Sequence, residues 1–141
     1  MDSDLLKSEQ LPDRWFELVT ASREVRQNAY AKYSNYQVGA ALLGESGTIY
    51  RGCNVENATY GLTHCAERTA VCSAVAAGET KFSVVCISLT GHPYPCGSCR
   101  QVLFEFNPAM LVLLDNLDHP DGTKPEVVRL SDLLPKAFQL D

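Results

Sequence analysis

Three cysteines and one glutamate have the types and the spacing of a metal-dependent catalytic site. Cys96 and Cys99 are separated by two residues in the run Cys-Gly-Ser-Cys, so a helix that starts there brings both sulfurs to one side. Cys65 opens another stretch of helical character and would supply a third ligand. Three protein ligands with one open position are typical of a catalytic zinc, whose bound water ionises near about pH 7. Glu67, which follows Cys65 closely, is then predicted to act as the general base.

The charge of such a site needs compensation. Three thiolates on Zn²⁺ leave a net charge of about −1, which opposes ionisation of the water. The N-termini of the two helices supply partial positive charge, and Arg68 directly follows Glu67. We expect Arg68 to donate hydrogen bonds to a thiolate and so to support the metal site.

Other readings of the cysteines remain open. Cys-Gly-Ser-Cys alone describes a redox pair or half of a closed structural zinc site equally well. A closed site needs a fourth ligand, however, and the other cysteines lie in strand or mid-helix settings typical of buried thiols. These three are Cys53, Cys72 and Cys86. Because Cys65 and Glu67 accompany the pair, the sequence favours a catalytic zinc, with one ion per chain.

The elements that position these side chains follow from the hydrophobic pattern. Apolar residues at three- and four-residue steps predict a first helix over residues 13–32, with Asp13 as its N-cap. Two β-rich runs, residues 37–43 and 48–55, flank Gly-Glu-Ser-Gly and predict an antiparallel hairpin. The remaining predicted elements are a helix over 65–77 stopped by Gly78, a strand over 83–89, a helix over 96–106, a strand over 109–114, a strand over 127–130 and a helical turn over 132–134 capped by Ser131.

This order predicts the architecture. A helix and a hairpin, followed by strands and helices in alternation, indicate a three-layer α/β/α fold with a mixed central sheet. Since no repeat or linker divides the chain, we expect one domain over residues 1–141. The helices that start at Cys65 and Cys96 would then begin at the same end of neighbouring strands, which brings the candidate ligands together.

Composition narrows the class of protein and of partner. The chain has 141 residues, 45% of them hydrophobic, which is enough to fill a core and argues against intrinsic disorder. The formal net charge is −5 and no basic cluster occurs, so we expect a small uncharged substrate and no nucleic acid. The longest aliphatic stretch, Met110 to Leu114, is too short to span a membrane. The N-terminus, Met1 to Asp4, lacks a signal-peptide pattern, so we expect a soluble, cytoplasmic protein.

The motifs of this chain resemble those of the zinc-dependent cytidine deaminases of the small, homotetrameric type. The two zinc motifs of that family are similar to residues 65–70, Cys-Ala-Glu-Arg-Thr-Ala, and 95–101, Pro-Cys-Gly-Ser-Cys-Arg-Gln. The likeness also includes residues 33–42, residues 52–57, and Leu-Leu-Pro at 133–135 followed by Phe138. It covers nearly the whole chain from Tyr30 to Phe138.

The resemblance implies a reaction. Zinc-activated water would attack C4 of cytidine or deoxycytidine, with Glu67 as the proton shuttle, and ammonia would leave to give uridine or deoxyuridine. It also implies a role in pyrimidine salvage and a homotetramer with active sites at subunit interfaces.

The resemblance further assigns roles to residues outside the zinc motifs. Asn54 and Glu56 would bind the ribose 3′-hydroxyl, and an amide and a carboxylate two residues apart on a strand end suit that task. Tyr36 stands where the family usually places Phe against the nucleoside, and Ala66 would also contact the substrate. The residues implied to act across a subunit interface are Ala58, Tyr60 and Phe138. Tyr94 replaces the Ser often found before Pro-Cys-Gly in the family.

Three alternative functions were weighed. A deaminase of a cytosine-containing antibiotic such as blasticidin S shares Pro-Cys-Gly-x-Cys-Arg-Gln, but Asn54, Glu56 and the run Glu-Arg-Thr at 67–69 favour an ordinary nucleoside. A polynucleotide-editing deaminase disagrees with the acidic charge. A non-catalytic zinc or redox module built on Cys96 and Cys99 leaves Glu67 without a role.

Overall fold

A mixed sheet of five strands forms the centre of the molecule, for which a computed structural model describes residues 10–140. The strands are β1 (Gly39–Gly44), β2 (Ile49–Cys53), β3 (Phe82–Leu89), β4 (Leu111–Asn116) and β5 (Glu126–Arg129). Their order across the sheet is β2-β1-β3-β4-β5. β3 and β4 run parallel, and the other three neighbouring pairs are antiparallel. The predicted hairpin is thus confirmed, with Gly47 in its turn at a φ of 93° that favours glycine.

Four α-helices cover the two faces of this sheet. They are α1 (Trp15–Arg26), α2 (Ala66–Ala76), α3 (Gly97–Phe106) and α4 (Leu130–Leu133), and a short 3₁₀ helix spans Tyr60–Leu62. Leu18 and Val19 of α1 pack with Ala41, Cys86 and Leu113 on one face. The helices α2, α3 and α4 pack on the other face over a larger apolar core. The layers are those of the predicted α/β/α fold.

The close approach of α2 to the sheet depends on a glycine. A Cβ atom on Gly52 would lie 2.3 Å from the backbone nitrogen of Ala70 and 2.4 Å from the carbonyl oxygen of Ala66. Thr69 strengthens the same contact, since its hydroxyl donates to the carbonyl oxygen of Cys53 at 2.8 Å. These contacts fix the first turn of α2 against β2, so they fix the position of Cys65 at its start.

Two helix boundaries differ from prediction. The first helix ends at Arg26 rather than at residue 32, because the backbone of Tyr30 pairs with the segment after β2: its N–H donates to Asn54 and its carbonyl accepts from Glu56. The predicted N-cap Asp13 is wrong, since Arg14 occupies that position without a side-chain cap. The last helical turn begins at Leu130, so Ser131 is not its cap either.

The three cysteines predicted to be buried have different environments. Cys86 is fully buried, which raises the pKa of its thiol to about 12. Cys53 is half-buried. The prediction for Cys72 is wrong, because α2 turns Ala70, Val71 and Ala74 toward the core and leaves Cys72 exposed.

No helix within residues 10–140 combines the length and the apolar character needed to cross a bilayer. The N-terminal segment Met1 to Asp4, on which the prediction of no signal peptide rests, lies outside the described residues.

Candidate active site

Two helix N-termini meet at one edge of the sheet and bring the three predicted ligands together. α3 begins after β3 ends, and α2 leads back into β3, so both helices start at the carboxyl end of that strand. Cys65 and Cys96 occupy the N-cap positions of α2 and α3. The three sulfurs, those of Cys65, Cys96 and Cys99, all lie within 4.8 Å of one another.

The spacing of the sulfurs fits a zinc ion. The Sγ atoms of Cys65 and Cys96 are 4.0 Å apart, and those of Cys96 and Cys99 are 3.4 Å apart. Sulfurs bound tetrahedrally to one zinc at about 2.3 Å would be separated by about 3.8 Å. Because thiolates are zinc ligands and three of them leave one position open, the donor set matches a catalytic site rather than a closed structural one.

The electrostatics of the cluster favour a thiolate at Cys65. The pKa of its thiol lies well below the ordinary value, because Cys99 donates a hydrogen bond to it and Arg68 lies beside it. Arg68 Nη2 is 3.8 Å from the Cys65 sulfur and donates to the carbonyl oxygen of Thr63 at 3.1 Å. Within residues 10–140 the buried Nε of Arg68 has no hydrogen-bond partner. Arg68 therefore sits where the sequence predicted it, although its effect on the metal stays a prediction.

Glu67 places a carboxyl group next to the thiols. Its side chain is only 5% exposed, and this burial, together with the charge of Cys65, raises its pKa to about 7. A carboxyl group with this pKa accepts and releases protons readily at neutral pH, as a proton shuttle must.

A cavity of about 240 Å³ opens onto this cluster. It contains four of the predicted site residues besides two of the thiols. The residues that line it are Tyr36, Val38, Asn54, Thr63, Cys65, Ala66, Glu67, Leu89, Tyr94 and Cys96. Aromatic, aliphatic and polar groups converge here, as in pockets for small organic ligands.

Asn54 shapes one wall of this cavity. Its side chain is buried, its Oδ1 accepts from the N–H of Val38 at 2.9 Å, and its Nδ2 donates to the carbonyl oxygen of Tyr36 at 2.8 Å. These bonds hold the chain on both sides of Gln37 in place. One N–H of the amide remains beyond the bond to Tyr36, and it is available for a ligand.

Glu56 lines a second cavity of about 400 Å³, which also contains Tyr33, Ser34, Tyr60 and Thr63. Thr63 lines both cavities, so the two adjoin. The Glu56 carboxylate accepts from the hydroxyl of Ser34 and from the N–H groups of Tyr33 and Ser34 at 3.0 and 3.1 Å. These bonds lower its pKa, the hydroxyl most strongly. Asn54 and Glu56 thus belong to neighbouring cavities within this chain.

Comparison with known proteins decides the family. Residues 14–114 match the family described as "Cytidine and deoxycytidylate deaminase zinc-binding region". The chain belongs to this family. A protein named cytidine deaminase from Sporosarcina psychrophila is 47% identical over 124 residues, which cover 86% of this chain and 88% of that protein. Another of that name, from Mycobacterium tuberculosis, is 42% identical and covers 93% of this chain and 95% of its own.

The fold places the chain among the same deaminases. A crystal structure of cytidine deaminase from Burkholderia pseudomallei aligns with a TM-score of 0.81 at 45% identity, over 87% of this chain and 98% of that one. The resemblance seen in the sequence motifs, and the mixed α/β fold predicted from them, are therefore confirmed.

The three residues expected to act across a deaminase subunit interface lie on the surface of this chain. Ala58 is exposed. Tyr60 is 77% exposed and Phe138 is 67% exposed. The carbonyl oxygen of Phe138 accepts from Gln101 Nε2 at 2.9 Å, which ties the C-terminal segment to α3. Neither Tyr60 nor Phe138 lines the cavity at the thiols, so their predicted role rests on a partner subunit.

Sequence reasoning gave no role to Arg100, which follows the ligand Cys99 in the deaminase motif. Its Nε donates to the carbonyl oxygen of Pro95 at 2.8 Å, and its Nη1 donates to that of Leu133, also at 2.8 Å. It therefore links the residue before Cys96 to the end of α4. A cation directly after a ligand was a visible signal, but its two carbonyl partners are distant in sequence or outside the motif pattern.

Proposed function

We propose that this chain hydrolyses cytidine, deoxycytidine or both to the corresponding uridine and ammonia. The observation that carries the proposal is the buried carboxyl group of Glu67 in a cavity that also contains thiols of the three-cysteine cluster. Membership of the zinc-binding deaminase family and the names of its relatives support this substrate class.

Cys65, Cys96 and Cys99 would hold the zinc ion. When bound, zinc supplies Lewis-acid activation of water at neutral pH. Glu67 takes a proton from the attacking water, delivers a proton to N3 of the base, and later transfers one to the departing amine. Water and cytidine thus become uridine and ammonia, with no net proton left on Glu67. Its pKa of about 7 suits both directions of transfer.

The two adjoining cavities suit a base and a sugar. The base occupies the cavity at the thiols, with C4 toward Glu67 and a ring face available to Tyr36. The start of α2 at Ala66 borders the same space. Asn54 and Glu56, one in each cavity, bind the ribose 3′-hydroxyl where the cavities meet at Thr63.

We further propose that residues 1–141 form one domain, that each chain binds one zinc, and that four chains assemble into a homotetramer. Exposed apolar side chains around the second cavity support assembly, since contiguous apolar surface commonly marks an interface. They include Tyr33, Val55, Tyr60 and Leu62. A cytoplasmic role in pyrimidine salvage follows from the substrate class. The acidic net charge of −5 supports the absence of a nucleic-acid partner, and we propose no membrane partner.

The proposal is tested with the zinc-loaded protein by following ultraviolet absorbance and ammonia release. Cytidine, deoxycytidine, cytosine and blasticidin S are compared side by side. We expect turnover of at least one nucleoside with one ammonia per base converted, and little turnover of cytosine, which lacks the sugar. The proposal is wrong if the zinc-loaded protein converts neither nucleoside, or if it converts blasticidin S in preference to both.

A further inference from the structure

The loop between β3 and α3 forms a fixed wall of the cavity. It is held at three points along its length by groups from other parts of the chain. The hydroxyl of Tyr36 donates to the carbonyl oxygen of Thr90 at 2.5 Å, the N–H of Gly91 donates to Asp118 Oδ2 at 2.9 Å, and Arg100 Nε donates to the carbonyl oxygen of Pro95 at 2.8 Å. A loop with bonds at both ends and near its start does not move easily to accommodate a larger ligand.

Tyr94 is the side chain that this wall presents to the cavity. It lies between Pro93 and Pro95, both of which are buried, and a proline on each side restricts the backbone of the residue between them. The ring of Tyr94 is 38% exposed and lines the cavity together with Leu89. Its backbone is therefore fixed while its ring occupies space at the cavity wall.

The reaction determines which edge of the base faces this wall. C4 of cytosine is flanked by N3 and C5. In the proposed function Glu67 delivers a proton to N3, so the N3 edge faces the start of α2, where Glu67 lies. The C5 edge then points away from α2. Leu89 and Tyr94, which come from the end of β3 and the loop after it, form the wall on that side.

We infer that Tyr94 is a specificity-determining residue that excludes substituents at C5 of the pyrimidine. The inference rests on the proposed function and adds the position at which the substrate is restricted. A methyl group at C5 would meet an aromatic ring on a backbone that is held by prolines and hydrogen bonds. Adding one carbon to a ligand in a hydrophobic pocket changes relative rates by about 10-fold to 200-fold.

The test compares cytidine with 5-methylcytidine, mixed in one reaction, for the wild type and for Tyr94→Ala, Tyr94→Leu and Tyr94→Phe. The ratio of the two kcat/KM values does not depend on the fraction of protein that is folded or zinc-loaded. We expect wild type and Tyr94→Phe to favour cytidine strongly. Tyr94→Ala should raise the ratio for 5-methylcytidine by about tenfold or more, and Tyr94→Leu by less.

Two results would overturn the inference while leaving the proposed function intact. One is a wild type that converts both nucleosides equally well, and the other is a ratio in Tyr94→Ala that stays within about twofold of the wild type. A zinc-loaded wild type that fails to convert cytidine at all would instead overturn the proposed function, and this inference with it.

Discussion

Glu67 combines burial with proximity to three thiols, and this combination predicts a sharp division between metal binding and turnover. Glu67→Gln preserves the size of the side chain and touches no ligand, so the zinc content should stay at the wild-type level. Proton transfer by a positioned group is worth about 10²–10⁴ in rate, so kcat should fall by at least that range. Metal analysis and absorbance assays on the same sample measure both quantities.

The matched control is Glu105→Gln, which changes an exposed glutamate on α3. It should leave both turnover and zinc content unchanged. If zinc-loaded Glu67→Gln turned over cytidine at a rate comparable with the wild type, the role of Glu67 as proton shuttle would be wrong.

Arg68 is predicted to strengthen zinc binding through Cys65. Its guanidinium bridges the Cys65 sulfur and the carbonyl oxygen of Thr63, so it both favours the thiolate and orients it. Arg68→Gln removes the positive charge and should weaken zinc binding by about 10–100-fold, as is common when a partner of a ligand is lost. Competition with a coloured chelator measures the affinity.

Arg68→Lys separates charge from geometry, because lysine keeps the cation but not the planar fork of donors. We expect it to bind zinc with an intermediate affinity. An affinity for Arg68→Gln equal to that of the wild type would show that Arg68 has no influence on the metal site.

At the level of elements, the contact between β2 and α2 is predicted to be the most sensitive to added volume. A Cβ on Gly52 would approach two backbone atoms of α2 within 2.4 Å, and backbone cannot rotate away as a side chain can. Gly52→Ala should therefore lower the free energy of unfolding by about 1–3 kcal/mol or more and shift the start of α2. Urea unfolding measures the first effect, and zinc affinity reports the second.

Gly61→Ala provides the comparison, since nothing lies within 4 Å of the corresponding Cβ position. Its unfolding midpoint should match that of the wild type within error. Equal stability of the two variants would mean that β2 and α2 can separate without cost, contrary to the packing described above.

Glu79 fastens the hairpin to the connection between α2 and β3, and it predicts a dependence of stability on pH. Its carboxylate accepts from the hydroxyls of Ser46 and Tyr50 at 2.6 and 2.7 Å and from the N–H of Ser46 at 2.9 Å. These bonds, that from the Ser46 hydroxyl most of all, lower its pKa below the ordinary 4.5. The unfolded chain therefore binds more protons than the folded chain at acidic pH, so this stabilisation is present at neutral pH and is lost as the pH falls through the lowered pKa.

Glu79→Gln should accordingly be less stable than the wild type at neutral pH, with a difference that shrinks in acid. Urea unfolding midpoints across the acidic range, with Glu105→Gln as the control, measure the trend. A difference that is constant with pH would show that the charge of Glu79 does not contribute.

Local patterns were sufficient to predict the strands, the helices that carry the ligands and the three thiols. Spacing within one helical turn joins Cys96 to Cys99, and strand-helix alternation brings Cys65 to them. Contacts between distant segments were not predictable in this way. The helix after Asp13 ends early because Tyr30 pairs with the chain beyond β2, and Cys72 is exposed because the orientation of α2 depends on Gly52 and Thr69.

For the whole molecule, the surface position of Phe138 indicates how assembly would complete the site. Its ring is 67% exposed, yet its carbonyl oxygen is held by Gln101 on α3. A large aromatic ring on an anchored segment is a costly feature to leave in water, and we expect it to enter the site of a neighbouring subunit. Phe138→Ala should then lower kcat/KM for cytidine by about tenfold, while sedimentation still reports about four times the chain mass of 15.5 kDa.

Subunit mixing distinguishes this role from a purely local one. Glu67→Gln chains lack turnover but retain Phe138, whereas Phe138→Ala chains retain Glu67. If Phe138 acts across an interface, tetramers reassembled from both variants should be more active per Phe138→Ala chain than tetramers of that variant alone, because the inactive chains supply the missing ring. Reassembly with Glu67→Gln chains should give wild-type subunits no such gain. Mixed tetramers of confirmed composition that show no rise in activity would place the effect of Phe138 within its own chain.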